Sequence, residues 1–96
     1  MHFQLAFSTA AQSQLADLKQ FNEKKWKRVT HALALLQTNV RNTGLNTHEY
    51  SGMKGPEGAK VFEAYAENNT PAAYRIFFAY YPDKGTLTIL AITQHP

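Results

Sequence analysis

Residues 72–96 read AAYRIFFAYYPDKGTLTILAITQHP, and the fold turns on how this stretch is taken. The first ten residues are apolar or aromatic except for Arg75, which predicts a buried strand. "PDKG" (82–85) supplies the proline, aspartate and glycine of a tight turn. Thr86 to Thr93 then alternates, with β-branched and large apolar residues, and predicts a second strand paired with the first. Alternate residues of a strand share a face. Arg75, Phe77, Ala79 and Tyr81 are therefore expected on one side of the sheet, and Ile76, Phe78 and Tyr80 on the other. In the last strand Leu87, Ile89, Ala91, Thr93 and His95 are expected together, opposite Leu90 and Ile92. His95 would then stand at the rim of the sheet, where a titratable ring is either loose or held for a purpose.

Upstream of this hairpin the period stays at two. "KVFEAYAE" (60–67) reads as a strand and "NNTP" (68–71) as a turn, while "HEYSGMK" (48–54) reads as a short strand and "KGPEG" (54–58) as a turn. Before Gly44 the pattern is helical. Trp26, Val29, Leu33, Leu36 and Val40 recur in steps of three and four, an amphipathic helix that Asn22 can cap. Ala11, Leu15 and Leu18 mark a helix before it, with Ser8 or Thr9 as cap and Thr9 with Gln12 as a candidate capping box. "RNTG" (41–44) is expected to close the helical hairpin, with Gly44 at the left-handed cap position. Phe3, Leu5 and Phe7 alternate and give a first strand. The order β-α-α-β-β-β-β predicts an α+β layer arrangement: a helical hairpin packed on one face of a mainly antiparallel sheet.

The chain has 96 residues, of which 44% are apolar and 18% charged, so a single domain spanning 1–96 is expected. It has no cysteine, which excludes disulfide, thiolate and zinc–thiolate chemistry. His2, His31, His48 and His95 show no ligand spacing, so neither a metal nor a cofactor is expected. "MHFQLAF" (1–7) lacks a basic leader and no stretch is long enough to span a bilayer, so a cytoplasmic protein without membrane contact is expected. Net charge is +3, and it is uneven: six Lys/Arg against two acids in residues 1–42, four against five in residues 43–96. A basic half of this kind suits an acidic partner or nucleic acid.

The order of elements, "KVFEAYAENNTPAAYRIFFAY" (60–80) and "ILAITQHP" (89–96) together resemble the RelE/ParE superfamily of bacterial toxins, across the whole chain. The resemblance implies a microbial RNase-type fold and the toxin half of a type II toxin–antitoxin system. Many RelE-type members cut messenger RNA in the ribosomal A site without a metal; ParE-type members poison DNA gyrase instead. The expected activity is a ribosome-dependent mRNA endoribonuclease that inhibits translation, with a cognate antitoxin protein, the ribosome and mRNA as partners. The alternative is a non-catalytic protein of the same fold, either gyrase-directed or an antitoxin-binding remnant. By the same resemblance Arg75 matches the arginine of the cleaving site and His95 a C-terminal histidine or arginine beside the scissile phosphate. Tyr65 and His48 fall near two histidines of one branch. The lysine pair of RelE is replaced by "FEA" (62–64), with Lys60 nearby.

The residue types fit that chemistry. Attack of a 2′-hydroxyl on the adjacent phosphate needs a base, an acid and a cation for the charge that builds on phosphoryl oxygens. His and Arg suit these jobs, and Glu63, Tyr65, Arg75 and His95 would meet on the sheet face not covered by the helices if register allows; the plain alternative for Arg75 is a cross-strand pair with Glu63. "NEKKWKRVT" (22–30) places Lys24, Lys25, Lys27 and Arg28 within about one and a half turns, where they can meet RNA phosphates or form an ordinary solvated helix face.

Overall fold

The computed structural model describes residues 2–68 and 70–94. Strand β1 (Gln4–Phe7) leads into helices α1 (Thr9–Phe21) and α2 (Glu23–Thr38), followed by strands β2 (His48–Glu49), β3 (Phe62–Tyr65), β4 (Tyr74–Tyr80) and β5 (Thr86–Gln94). The strands form one sheet in the order β1-β5-β4-β3-β2. β2, β3, β4 and β5 pair antiparallel with their neighbours, and β1 pairs parallel with β5. A parallel neighbour needs a crossover, and the helical hairpin between β1 and β2 is part of it. This is the expected α+β arrangement. No helix among the described residues is long and apolar enough to cross a membrane.

The two helices bury one face of the sheet. Ala11 and Leu18 of α1 and Val29, Ala32, Leu33 and Leu36 of α2 meet Ile76, Phe78, Leu87, Ile89 and Ile92 in a single core. Ser8 caps α1 by accepting from the Ala11 N–H, and Asn22 caps α2 by accepting from the Lys25 N–H. The Thr9–Gln12 capping box does not form, because Gln12 instead donates its amide to the Phe7 carbonyl at 3.0 Å. Helix α2 also stops earlier than its apolar pattern suggests. Asn39 caps it at the C-terminus, and Gly44 lies in a short 3-10 turn, Thr43–Leu45, whose left-handed residue is Asn46 (φ 48°). Val40 still packs on the core from beyond the helix end.

Strand β5 departs from simple alternation. Phe77 stands opposite Ala91 but Phe78 opposite Ile89, so Leu90 is an extra residue, a β-bulge. The bulge reverses the phase of the strand. Leu87 and Ile89 face the helices, and beyond Leu90 it is Ile92 that does so. The expectation that Leu87 and Ile89 share a face with Ala91 and Thr93 is therefore corrected. The bulge falls where β1 ends. Past that point the free edge of β5 is served by α1: the Ser8 N–H donates to the Ile89 carbonyl at 2.9 Å, Ser8 Oγ donates to the Leu90 carbonyl at 2.8 Å, and the Ile92 N–H donates to Gln14 Oε1 at 2.7 Å.

The other face of the sheet is divided. Its lower half is covered by the loop between β2 and β3, where Tyr50 lies on Phe77 with ring centroids 4.9 Å apart. Gly55 permits the close turn in this loop, since a Cβ there would stand 2.3 Å from the Ala59 carbonyl oxygen. Among the described residues, no element covers the upper half, toward the end of β5, where a cleft lies over Tyr65, Arg75 and Thr93.

Candidate active site

Register places the expected residues in two rows, one on the open half and one at its border with the covered half. Tyr65 of β3 is opposite Arg75 of β4, which is opposite Thr93 of β5. One step down, His48 of β2 is opposite Glu63, which is opposite Phe77. Residues two apart on a strand share a face, so His48, Glu63, Tyr65, Arg75 and Thr93 converge. They border a cleft of about 620 Å³ together with Tyr50 and Met53.

Glu63 is the hub. Its Oε2 accepts from Arg75 Nη1 at 2.9 Å, and its Oε1 meets His48 Nε2 at 2.8 Å. The carboxylate is buried, and Arg75 is only 13% exposed. The other nitrogen of His48, Nδ1, lies 2.8 Å from the Asn46 carbonyl. Asn46 can reach back to the ring because it adopts the left-handed conformation that Asn tolerates. Tyr65 completes the group. The Arg75 guanidinium carbon lies 3.9 Å from the centre of the Tyr65 ring, a cation–π contact, and His48 meets the same ring edge-on at 5.8 Å. Arg75 Nε is buried and has no hydrogen-bond partner among the described residues. An orphaned N–H costs about 1–3 kcal/mol, which marks a cation not fully spent on its own ion pair.

The basic residues of α2 separate. Lys25 is 19% exposed, which corrects the expectation of a solvated side chain: its Nζ reaches Glu67 Oε2 at 2.7 Å, and Arg28 Nη1 lies 3.5 Å from the same oxygen. Glu67 is 1% exposed and also accepts from the Tyr74 N–H at 3.1 Å. Burial pushes this carboxyl up, but the Lys25 and Tyr74 hydrogen bonds and the charges of Lys25 and Arg28 outweigh it and hold it below the ordinary range. Glu67 thus ties the start of α2 to the start of β4, directly beside Arg75. Lys24 and Lys27 are exposed, and Lys27 pairs loosely with Glu23 at 3.4 Å. Lys60 is exposed, lies 3.4 Å from Glu49 and does not line the Arg75 cleft. His95 lies outside the described residues.

Sequence reasoning placed Glu63 in the group around Arg75 and as its ion-pair partner. Its second bond, to His48, depended on the register of a two-residue strand. Glu67 was missed altogether, although an acid isolated in an apolar and turn-rich stretch is a signal for a buried pair.

No family model matches the chain, and no curated protein matches it. Solved structures do. A YoeB/ParE toxin from Agrobacterium tumefaciens superposes with a TM-score of 0.72 at 7% identity, covering 98% of this chain and 100% of that one. The YoeB dimer from Staphylococcus aureus gives 0.64 at 15% identity, with both chains covered to 100%. RelE in the archaeal RelE–RelB complex from Pyrococcus horikoshii gives 0.66 at 11% identity, over 98% of this chain and 96% of that one. At these identities the likeness is one of fold, and it spans the chain: the protein shares the fold of these YoeB, ParE and RelE structures.

Proposed function

We propose that the protein is the toxin of a type II toxin–antitoxin system and a metal-independent endoribonuclease that cuts mRNA on the ribosome. The observation that carries this reading is the Arg75 cluster: a cation backed by Tyr65, held by a buried carboxylate and left with an unpaired N–H, on the open half of a sheet whose fold is that of such toxins. Arg75 would hold the scissile phosphate and stabilise the charge that builds on its oxygens. Glu63 sets the guanidinium in place, and Tyr65 keeps water from one of its faces. His48 has both nitrogens engaged and would line the RNA-binding cleft. Proton transfer falls to His95, by the resemblance of "ILAITQHP" (89–96). The 2′-hydroxyl gives up its proton as its oxygen bonds to phosphorus; the bond to the 5′ oxygen of the next nucleotide breaks, and that oxygen takes a proton.

The RelE–RelB complex supports a protein antitoxin as partner here too. The basic helical hairpin and the open sheet face are the surfaces it would cover, and a cytoplasmic location follows from this reading. The salt bridge between Arg75 and Glu63 also favours a second reading, a non-catalytic protein of the same fold, since a paired guanidinium is partly neutralised. Primer extension on ribosome-bound message separates the two. Cleavage by the wild type that is lost in Arg75→Ala supports the nuclease; toxicity without cleavage supports the second reading.

A further inference from the structure

His48 borders two clefts. The first lies over Arg75. The second, of about 950 Å³, lies on the helix-bearing side of the sheet, between the β2 end and the loop that follows α2. Its floor is aromatic. The Tyr80 ring meets Phe3 at 5.8 Å, Phe62 at 5.6 Å and Phe78 at 6.1 Å, each close to edge-on. Phe78 is sealed in the core, whereas Phe3, Phe62 and Tyr80 are half-buried and line the cleft.

The rim is polar and already shaped. Asn39 Oδ1 accepts from the Arg41 N–H at 3.2 Å, Asn42 Oδ1 from the Gly44 N–H at 2.9 Å, and Thr47 Oγ1 donates to the Val40 carbonyl at 3.0 Å. These bonds fix the loop through the side-chain oxygens and leave the asparagine NH2 groups as donors. Arg41 is exposed on this rim, and no carboxylate lies within ion-pair distance of it among the described residues. Aromatic surface, amide donors and a single arginine are the chemistry that takes an unpaired nucleotide: the base meets the rings, the amides read its edge, and the guanidinium takes a phosphate.

We propose that this second cleft is a nucleotide subsite: with one phosphate of the RNA at Arg75, the strand passes His48 and lays a neighbouring unpaired base against Phe62 and Tyr80, with its phosphate at Arg41. The inference rests on the ribonuclease reading and adds where the substrate strand runs. The test uses a labelled single-stranded octaribonucleotide carrying thiouridine, photocrosslinked to the purified protein. The crosslink should fall on Phe62 or Tyr80. Arg41→Gln should weaken binding of the same RNA about tenfold at low salt and lower the log–log salt slope by about one. In ribosome assays it should raise the concentration needed for half-maximal cleavage and leave the maximal rate unchanged. Crosslinks confined to Tyr50, Tyr65 or Phe77, with binding by Arg41→Gln equal to wild type, overturn the subsite and leave the role of Arg75 standing. RNA that neither binds the wild type nor is cut by it with ribosomes overturns both.

Discussion

Replacing Glu67 by glutamine removes one charge from the point where α2, β3 and β4 are tied together. In the folded protein the carboxylate meets Lys25 Nζ through both oxygens, at 3.0 and 2.7 Å, and accepts from the Tyr74 N–H. Breaking a buried ion pair by removing one partner costs about 3–5 kcal/mol. Lys25 keeps 19% exposure and can turn its ammonium toward water, so the lower end applies, about 3 kcal/mol. Arg28 is about half exposed and adds little. The glutamine carbonyl can still accept from Tyr74. For a domain of this size about 3 kcal/mol corresponds to a fall in Tm of about 12–24 °C. Trp26, next to Lys25 and the single tryptophan of the chain, reports unfolding by fluorescence in urea. The pH dependence has a definite sign. A carboxyl held below its ordinary value contributes stability in full above its unfolded pKa and loses it as pH falls through the folded value. The gap between wild type and Glu67→Gln should be widest near neutral pH and should close below a pH of about 4. A destabilisation under about 0.5 kcal/mol at neutral pH, the range of exposed pairs, would refute the clamp.

Three further outcomes follow from the structure. Ser8→Ala should cost about 1–2 kcal/mol, the upper range for a helix cap, because Ser8 Oγ serves both the Ala11 N–H and the carbonyl of the bulge residue Leu90; chemical denaturation measures it. The exposed pair Lys24→Gln with Lys27→Gln should leave the urea midpoint within about 0.5 kcal/mol of wild type while weakening ribosome or RNA binding in a salt-dependent manner. Lys25→Met alone should destabilise the fold, so a quadruple neutralisation that includes Lys25 and Arg28 confounds binding with unfolding.

The architecture was legible because its signals were long and periodic. The steps from Trp26 to Leu36, the alternation around Arg75 and the turns at Gly and Pro each point one way, and the order of elements follows from them. The site was half legible. Arg75 with Tyr65 and Glu63 needed only a simple antiparallel register, which the chain adopts. What escaped has physical reasons. A single extra residue at Leu90 reverses every face beyond it, and alternation counts cannot see a bulge. The engagement of His48 by Glu63 depends on a strand two residues long. The division of the basic helix face into a buried half at Lys25 and an exposed half at Lys24 and Lys27 depends on Glu67, 42 residues away from Lys25. The Asn22 cap of α2 was legible, but the early stop at Asn39 was not, since asparagine competes with the glycine signal used to place the helix end.

In the proposed reaction Arg75 stabilises the charge that builds on a scissile phosphate, and His95 moves the proton. Its most direct test is primer extension on ribosome-bound mRNA with wild-type, Arg75→Ala and His95→Gln proteins, each shown to be folded by circular dichroism. Discrete cuts are expected from the wild type, and a loss of about 10²–10⁴-fold in cleavage rate from each variant. Equal cleavage by all three proteins would contradict it.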